Sequence, residues 1–161
     1  LLYTASTLYH AVRHERAKAR LQVLDHSAIY VLIAGTYTPV LLGVLRGGSG
    51  WFISSWAMLA VIWTLAVAGV VFKVLAGARF RKVSVTLYVA MGWAALALIE
   101  PLWTHMQPGG LAWLFAGGIA YTAGVAFYML HDRMRYSHFV WHLFVLAGTS
   151  CHFLMVLLYA N

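Results

Sequence analysis

Long apolar runs alternate along this chain with short polar stretches. Residues 21–45, 51–74, 83–103, 111–130 and 137–160 each hold at most one acidic or basic residue. A run of about 20 residues rises about 30 Å as a helix, which matches the hydrocarbon thickness of a bilayer. Each run therefore predicts a membrane-spanning helix, and residues 1–12 predict the end of one more. The stretches between them are polar or rich in turn residues. Residues 13–20 (RHERAKAR) read as a basic loop, and 46–50 (RGGSG) as a glycine turn. A second basic cluster, Arg79, Arg81 and Lys82, lies within 75–82. The expected fold is all-α, a polytopic transmembrane helix bundle forming one transmembrane domain over 1–161. Thr38-Pro39 sits deep in the first complete span and predicts a kink. Ala116, Gly117, Ala120 and Gly124 make a small-residue seam suited to close helix packing.

Composition sharpens this reading. The chain is 63% hydrophobic and 9% charged, with a mean hydropathy of +0.80, which excludes a soluble globular domain. Its net charge of +7 would suit nucleic acid in a polar protein; here it reads as charge on one membrane face, with no nucleic-acid partner. Arg13, Arg16, Lys18, Arg20, Lys73, Arg79, Arg81, Lys82, Arg133 and Arg135 all fall at loops of one side. Only Arg46 of the 11 basic residues falls at the other. Positive charge marks the cytoplasmic side, so the C-terminus is expected outside. The single cysteine, Cys151, allows no intramolecular disulfide and no cysteine-based zinc site. The first residue is not Met and lies within the apolar run LLYTASTLYH, so a piece of a longer protein is expected.

Histidines inside apolar spans carry the candidate chemistry, because hydrocarbon penalises an ionisable group that has no task there. His138 and His142, four residues apart, stack on one face of the last span, as two metal ligands would. His10 and Asp25 fall at similar depth near the basic side, within about 10 Å of the boundary at 1.5 Å per residue. Three imidazoles with an open fourth position describe a catalytic zinc site. The spacing is not that of a zincin, since Phe139 stands where a glutamate base would be. Asp25 is then the only acid available as base. Its other reading is an N-terminal helix cap. Ser6, one turn before His10, either supports the site or bonds back to its own helix. His138 and His142 could equally bond carbonyls or headgroups. His152 lies about 15 Å beyond His142 and reads as a satisfied interior histidine. His26 reads as structural, His14, His105 and His131 as loop residues, and Glu100 as cavity-lining or reaching outward.

The segments STLYH (Ser6 to His10), LDHSAIYVLIAGTYTP (Leu24 to Pro39) and SHFVWHLFVLAGTSCHF (Ser137 to Phe153) resemble the hemolysin III family. That family is the bacterial branch of the progestin and adipoQ receptor proteins, which include the adiponectin receptors. The resemblance runs through essentially the whole chain. It implies seven transmembrane helices with a cytoplasmic N-terminus, of which this chain would hold the end of helix two through helix seven. It also implies zinc ligands at His10, His138 and His142, with Ser6 as the serine of the Ser-x-x-x-His motif. Asp25 would be the aspartate that holds water beside the metal. Membership would extend to a wider group of membrane hydrolases that includes alkaline ceramidases.

Three functions follow as expectations. The first is a Zn²⁺-dependent hydrolase of lipid amides or esters in the bacterial inner membrane, with membrane lipids as partners and Asp25 as base. The second is a sensor of membrane lipid state in which zinc is structural. The third is a pore-forming cytolysin. The spans show no polar channel lining, which speaks against the third. The sequence sets neither substrate nor oligomeric state.

Overall fold

The computed structural model describes residues 1–45, 55–77, 79–130 and 133–160. The glycine turn at 46–50, the start of the run at 51, His131, Asp132 and Asn161 lie outside the described residues. All regular structure among the described residues is helical, and no strand occurs. The α-helices are α1 (Leu2–Ala11), α2 (Glu15–Pro39), α3 (Ser55–Ala76), α4 (Arg81–Trp93), α5 (Ile99–His105), α6 (Pro108–Met129) and α7 (Ser137–Tyr159). A π-helical turn, Val40–Val44, continues α2, and a 3₁₀ segment, Ala94–Leu98, joins α4 to α5. Five continuous helical stretches are long and apolar enough to cross a membrane: Glu15–Val44, Ser55–Ala76, Arg81–His105, Pro108–Met129 and Ser137–Tyr159. The shortest, at 22 residues, rises about 33 Å.

Helix begins earlier than the hydrophobic pattern indicates. The basic stretch read as a loop over 13–20 is helical from Glu15. Its residues, ERAKAR, are good helix formers whatever their charge. Glu15 sits at the positive end of the helix dipole, and the Ala17 N–H donates to His14 Nδ1 at 3.4 Å. Hydropathy reports where the bilayer begins, not where the helix does.

Both departures from α geometry stand beside prolines. Pro39 lacks the N–H that would close its turn of α2, and the wider π turn follows directly. Pro101, within α5, cannot donate to the carbonyl four residues back, Ala97, which lies in the 3₁₀ segment.

The chain divides into two compact units, each with its own packing. The first comprises Leu1–Thr38 and Trp56–Met91. Here α2 is held to α3 and α4 by buried tyrosines and a tryptophan. The Tyr30 ring is fully buried and lies on Gly69 of α3, where any side chain would collide with it. Tyr30 also meets Tyr88, with ring centroids 4.5 Å apart. The Tyr88 hydroxyl donates to the His26 carbonyl at 2.8 Å, and Tyr37 donates to the Met91 carbonyl at 3.0 Å. Trp63 Nε1 donates to Thr38 Oγ1 at 3.1 Å. At the end of α3, Gly77 adopts φ +60°, and its N–H bonds the Lys73 carbonyl at 2.9 Å. The Lys73 ammonium reaches the Gly77 carbonyl at 3.3 Å and so caps the negative end of the helix.

The second unit comprises Pro39–Ser55 and Gly92–Asn161, and its centre is the pair α6 and α7. Close approach depends on glycines that receive rings from the facing helix. Gly117 of α6 receives His152, Gly124 receives Phe144 and Trp141, and Gly148 of α7 receives Tyr121. Gly117 and Gly124 belong to the seam expected from the sequence; Gly148 completes it from the other side. Phe127 stacks on Phe144 with centroids 5.3 Å apart. The Tyr121 hydroxyl and Thr149 Oγ1 share a hydrogen bond of 2.7 Å across the pair.

A Cβ at Gly148 would lie 2.9 Å from the rigid Tyr121 ring, so Gly148→Ala must push the helices apart. The expected cost is about 1–3 kcal/mol, read as a lower melting temperature in detergent. Gly118→Ala is the control: its Cβ would meet Trp93 at 3.9 Å, an ordinary contact. That variant should melt at or above the parental temperature, because alanine gains up to about 1 kcal/mol over glycine within a helix.

Candidate metal centre

Two clusters of chemically competent side chains emerge, one in each unit. The first lies between α1 and α2. Ser6 and His10 stand one turn apart on α1, and Asp25 is buried on α2. Ser6 and His10 both lie close enough to the Asp25 carboxylate to act on it. The Tyr9 ring packs against His10 with centroids 4.7 Å apart. The Tyr9 ring also has the Lys18 ammonium 5.9 Å from its centroid, which ties the end of α1 to the first turns of α2.

The start of α2 removes the capping reading of Asp25. The residue lies ten positions after Glu15, about 15 Å into the helix. Its backbone N–H and carbonyl belong to the helical ladder, so it does not cap the helix. A carboxylate within a span, with a serine and a histidine near it, is an uncommon arrangement for packing alone.

The second cluster lies on α7. The Nε2 atoms of His138 and His142 are 3.1 Å apart, and the rings meet edge to face with centroids 4.7 Å apart. Both side chains are half-buried. Tyr128 of α6 stands beside His138, 6.4 Å between centroids, and packs on Trp141 at 5.2 Å. Two imidazole nitrogens turned on one point either share a proton or share an ion.

The remaining histidines take other work. His152 Nε2 donates to the Leu114 carbonyl at 3.1 Å, an interhelical bolt within the α6–α7 pair. His105 Nδ1 lies 2.9 Å from the Pro101 carbonyl at the end of α5. His14 accepts from the start of α2. Glu100 is exposed on α5. Sequence reasoning passed over Tyr9 and Tyr128, whose only signal is an aromatic ring near a candidate histidine. It also passed over Ser137, which directly precedes His138.

The family description Haemolysin-III related matches residues 1–153. The chain belongs to the haemolysin III family. Within it, the chain is 46% identical to Hemolysin-3 of Bacillus cereus over 159 residues, covering 99% of this chain and 70% of that protein. Identity to the Hemolysin-3 homolog of Bacillus subtilis (strain 168) is 43% over 159 residues, 99% and 72% of the two chains. A more distant relative is the human Monocyte to macrophage differentiation factor, 27% identical over 161 residues, 94% and 63% of the two chains. No solved structure matches. Membership and the five apolar helices make this haemolysin III protein a multi-pass membrane protein.

Proposed function

We propose that this protein is a zinc-dependent hydrolase of lipid amide or ester bonds in the bacterial plasma membrane. His10, His138 and His142 are its metal ligands, Asp25 its general base and Ser6 the residue that holds Asp25. The observation that carries this reading is Asp25 itself. A buried carboxylate costs several kcal/mol even after relaxation, and within a span it is retained for chemistry more often than for packing. An ionised carboxylate has about four lone-pair sites at which to accept a proton.

The donor set proposed is three imidazoles, two of them the His138–His142 pair of α7. The donor chemistry fits zinc, which takes neutral imidazole readily. Tetrahedral geometry with Zn–N bonds of about 2.05 Å separates two ligand nitrogens by about 3.3 Å. The 3.1 Å between His138 and His142 agrees with that value. Zinc bound there would polarise a carbonyl and lower the pKa of water. Asp25 would accept the proton of the attacking water and return it to the leaving group. Ser6 would keep the carboxylate in one orientation. Phe139, Leu143 and Leu146, on the helix that carries the histidine pair, are exposed apolar residues. Surroundings of this kind favour a lipid substrate over a water-soluble one.

The sensor reading uses the same ligands with zinc in a structural role. It separates from the hydrolase at Asp25, which a purely structural site does not need as a charged group. The name of the Bacillus cereus relative keeps a lytic activity in view, and release of dye from vesicles by the purified protein would bring it forward.

Purified parental protein is expected to hold about one zinc per chain by elemental analysis. His138→Ala and His142→Ala should lose it, while His152→Ala, whose ring bonds Leu114, should keep it. Loss of zinc from the His152 variant alone would overturn the ligand assignment.

Asp25→Asn keeps the shape and removes only the charge. It is expected to melt at or above the parental temperature, retain most of its zinc and lose at least 100-fold in lipid hydrolysis, the scale of a missing general base. Full activity with bound zinc would eliminate Asp25 as the base and put the sensor reading first.

From the ten-to-one division of basic residues we propose that the segments at 13–20, 77–82 and 131–136 are cytoplasmic and the end of the chain external. A reporter fused after residue 161 should therefore be active only in its exported form. Activity of a cytoplasm-dependent reporter at that position would reverse the orientation.

A further inference from the structure

Ser137 is the first residue of α7 and is 1% exposed. Serine at a helix start ordinarily turns its oxygen to the free N–H groups of its own first turn. Here the cap position is Tyr136, and no side chain caps α7. The Ser137 hydroxyl instead leaves its own helix and donates to the Phe127 carbonyl in the last turn of α6. That carbonyl also accepts from the Leu130 N–H at 3.2 Å, so two donors converge on one oxygen at the end of α6.

The neighbours of that oxygen brace the same stretch of α7. Phe127 stacks on Phe144, and Tyr128 packs on Trp141 and stands beside His138. Ring contacts of this kind resist separation of the helices but permit small sliding and rotation. A hydrogen bond to a fixed carbonyl does not. The residue that makes it is covalently next to His138 and five positions before His142.

We infer that Ser137 is a positioning residue for the His138–His142 pair, fixing the first turn of α7, which carries His138, so that its imidazole stays turned on the same point as that of His142. The inference rests on the metal reading given above. An imidazole nitrogen stands about 7 Å from the helix axis. Loosening of that first turn by about 10° would move the His138 nitrogen about 1 Å relative to that of His142, several times the roughly 0.2 Å that a coordination bond tolerates. Removing the hydroxyl therefore leaves the fold in place and loosens the ligands, as loss of a group that orients a ligand does elsewhere.

The test compares Ser137→Ala and Ser137→Thr in the full chain, purified in detergent. Ser84→Ala serves as control, since Ser84 is also buried but bonds a carbonyl of its own segment, Phe80, at 3.2 Å. Readouts are zinc affinity by competition with a chelator and the visible spectrum of the Co²⁺-loaded protein. Ser137→Ala should bind zinc about 10–100-fold more weakly and show an altered cobalt band, with helical content unchanged. Ser137→Thr should restore both, and Ser84→Ala should match the parent. Should the alanine variant fail to fold, Ser137→Val against Ser137→Thr makes the same comparison at equal shape. Parental affinity and an unchanged cobalt band in folded Ser137→Ala or Ser137→Val would overturn the inference and leave the metal reading standing. A parental protein that takes up neither zinc nor cobalt would overturn the metal reading, and the role of Ser137 with it.

Discussion

Hydrocarbon offers no hydrogen bonds, so polar groups within these helices are answered from inside the chain or left without a partner, as are the buried Ser27 Oγ, Tyr30 OH and His152 Nδ1. Backbone groups are satisfied by helix formation. Side chains follow the same constraint by two routes. Thr36, Thr38 and Thr122 fold back onto carbonyls one turn earlier, at 2.9, 3.0 and 2.8 Å. Tyr37, Tyr88, Trp63 and Trp93 reach across to a neighbouring helix. The second route does the architectural work. Apolar contact gives little preference for a helix over lipid, whereas a phenol or indole that finds a carbonyl or hydroxyl fixes which helix stands beside it and at what height.

Close packing depends on the same economy of space. The rings of Tyr30, Tyr121 and His152 each rest on a glycine of the facing helix. The missing side chain lets the ring lie flat, and the polar end of Tyr121 or His152 then reaches its partner. Seam and hydrogen bond are one device in the α6–α7 pair. Gly117 admits the His152 ring that bonds Leu114, and Gly148 admits the Tyr121 ring whose hydroxyl meets Thr149. The Gly148→Ala prediction therefore tests a polar contact as well as a steric one.

The sequence showed the spans clearly because long apolar runs have one stable form in a bilayer, and it showed the seam because glycine spacing survives in the helix. It misplaced the start of α2 because charge ends a hydrophobic run without ending a helix, as ERAKAR demonstrates. That boundary error had a chemical consequence. With the helix starting near residue 21, Asp25 looked close enough to its end to be a cap; starting at Glu15, the same residue is interior. The His138–His142 pair was legible, since four residues bring two side chains together on any helix. Ser137 was not. A serine before a helix predicts a cap, and only the placement of α6 shows that its hydroxyl is directed elsewhere.

Asp25 also carries an argument about what the chain has been shaped to do. Asparagine in its place would keep the shape and bring no charge into the span. On packing and stability alone the amide is the better residue, because it avoids the desolvation of a carboxylate. The carboxylate differs from it in two capacities: it can take a proton from a donor and it can balance a nearby positive charge. Both have an object at this position, since His10 lies within electrostatic reach and would carry positive charge when protonated or bound to a metal. A group that disfavours the folded state relative to its nearest neutral analogue adds nothing to the stability of the helices around it, and the role proposed for Asp25 is one that only a charged group could fill.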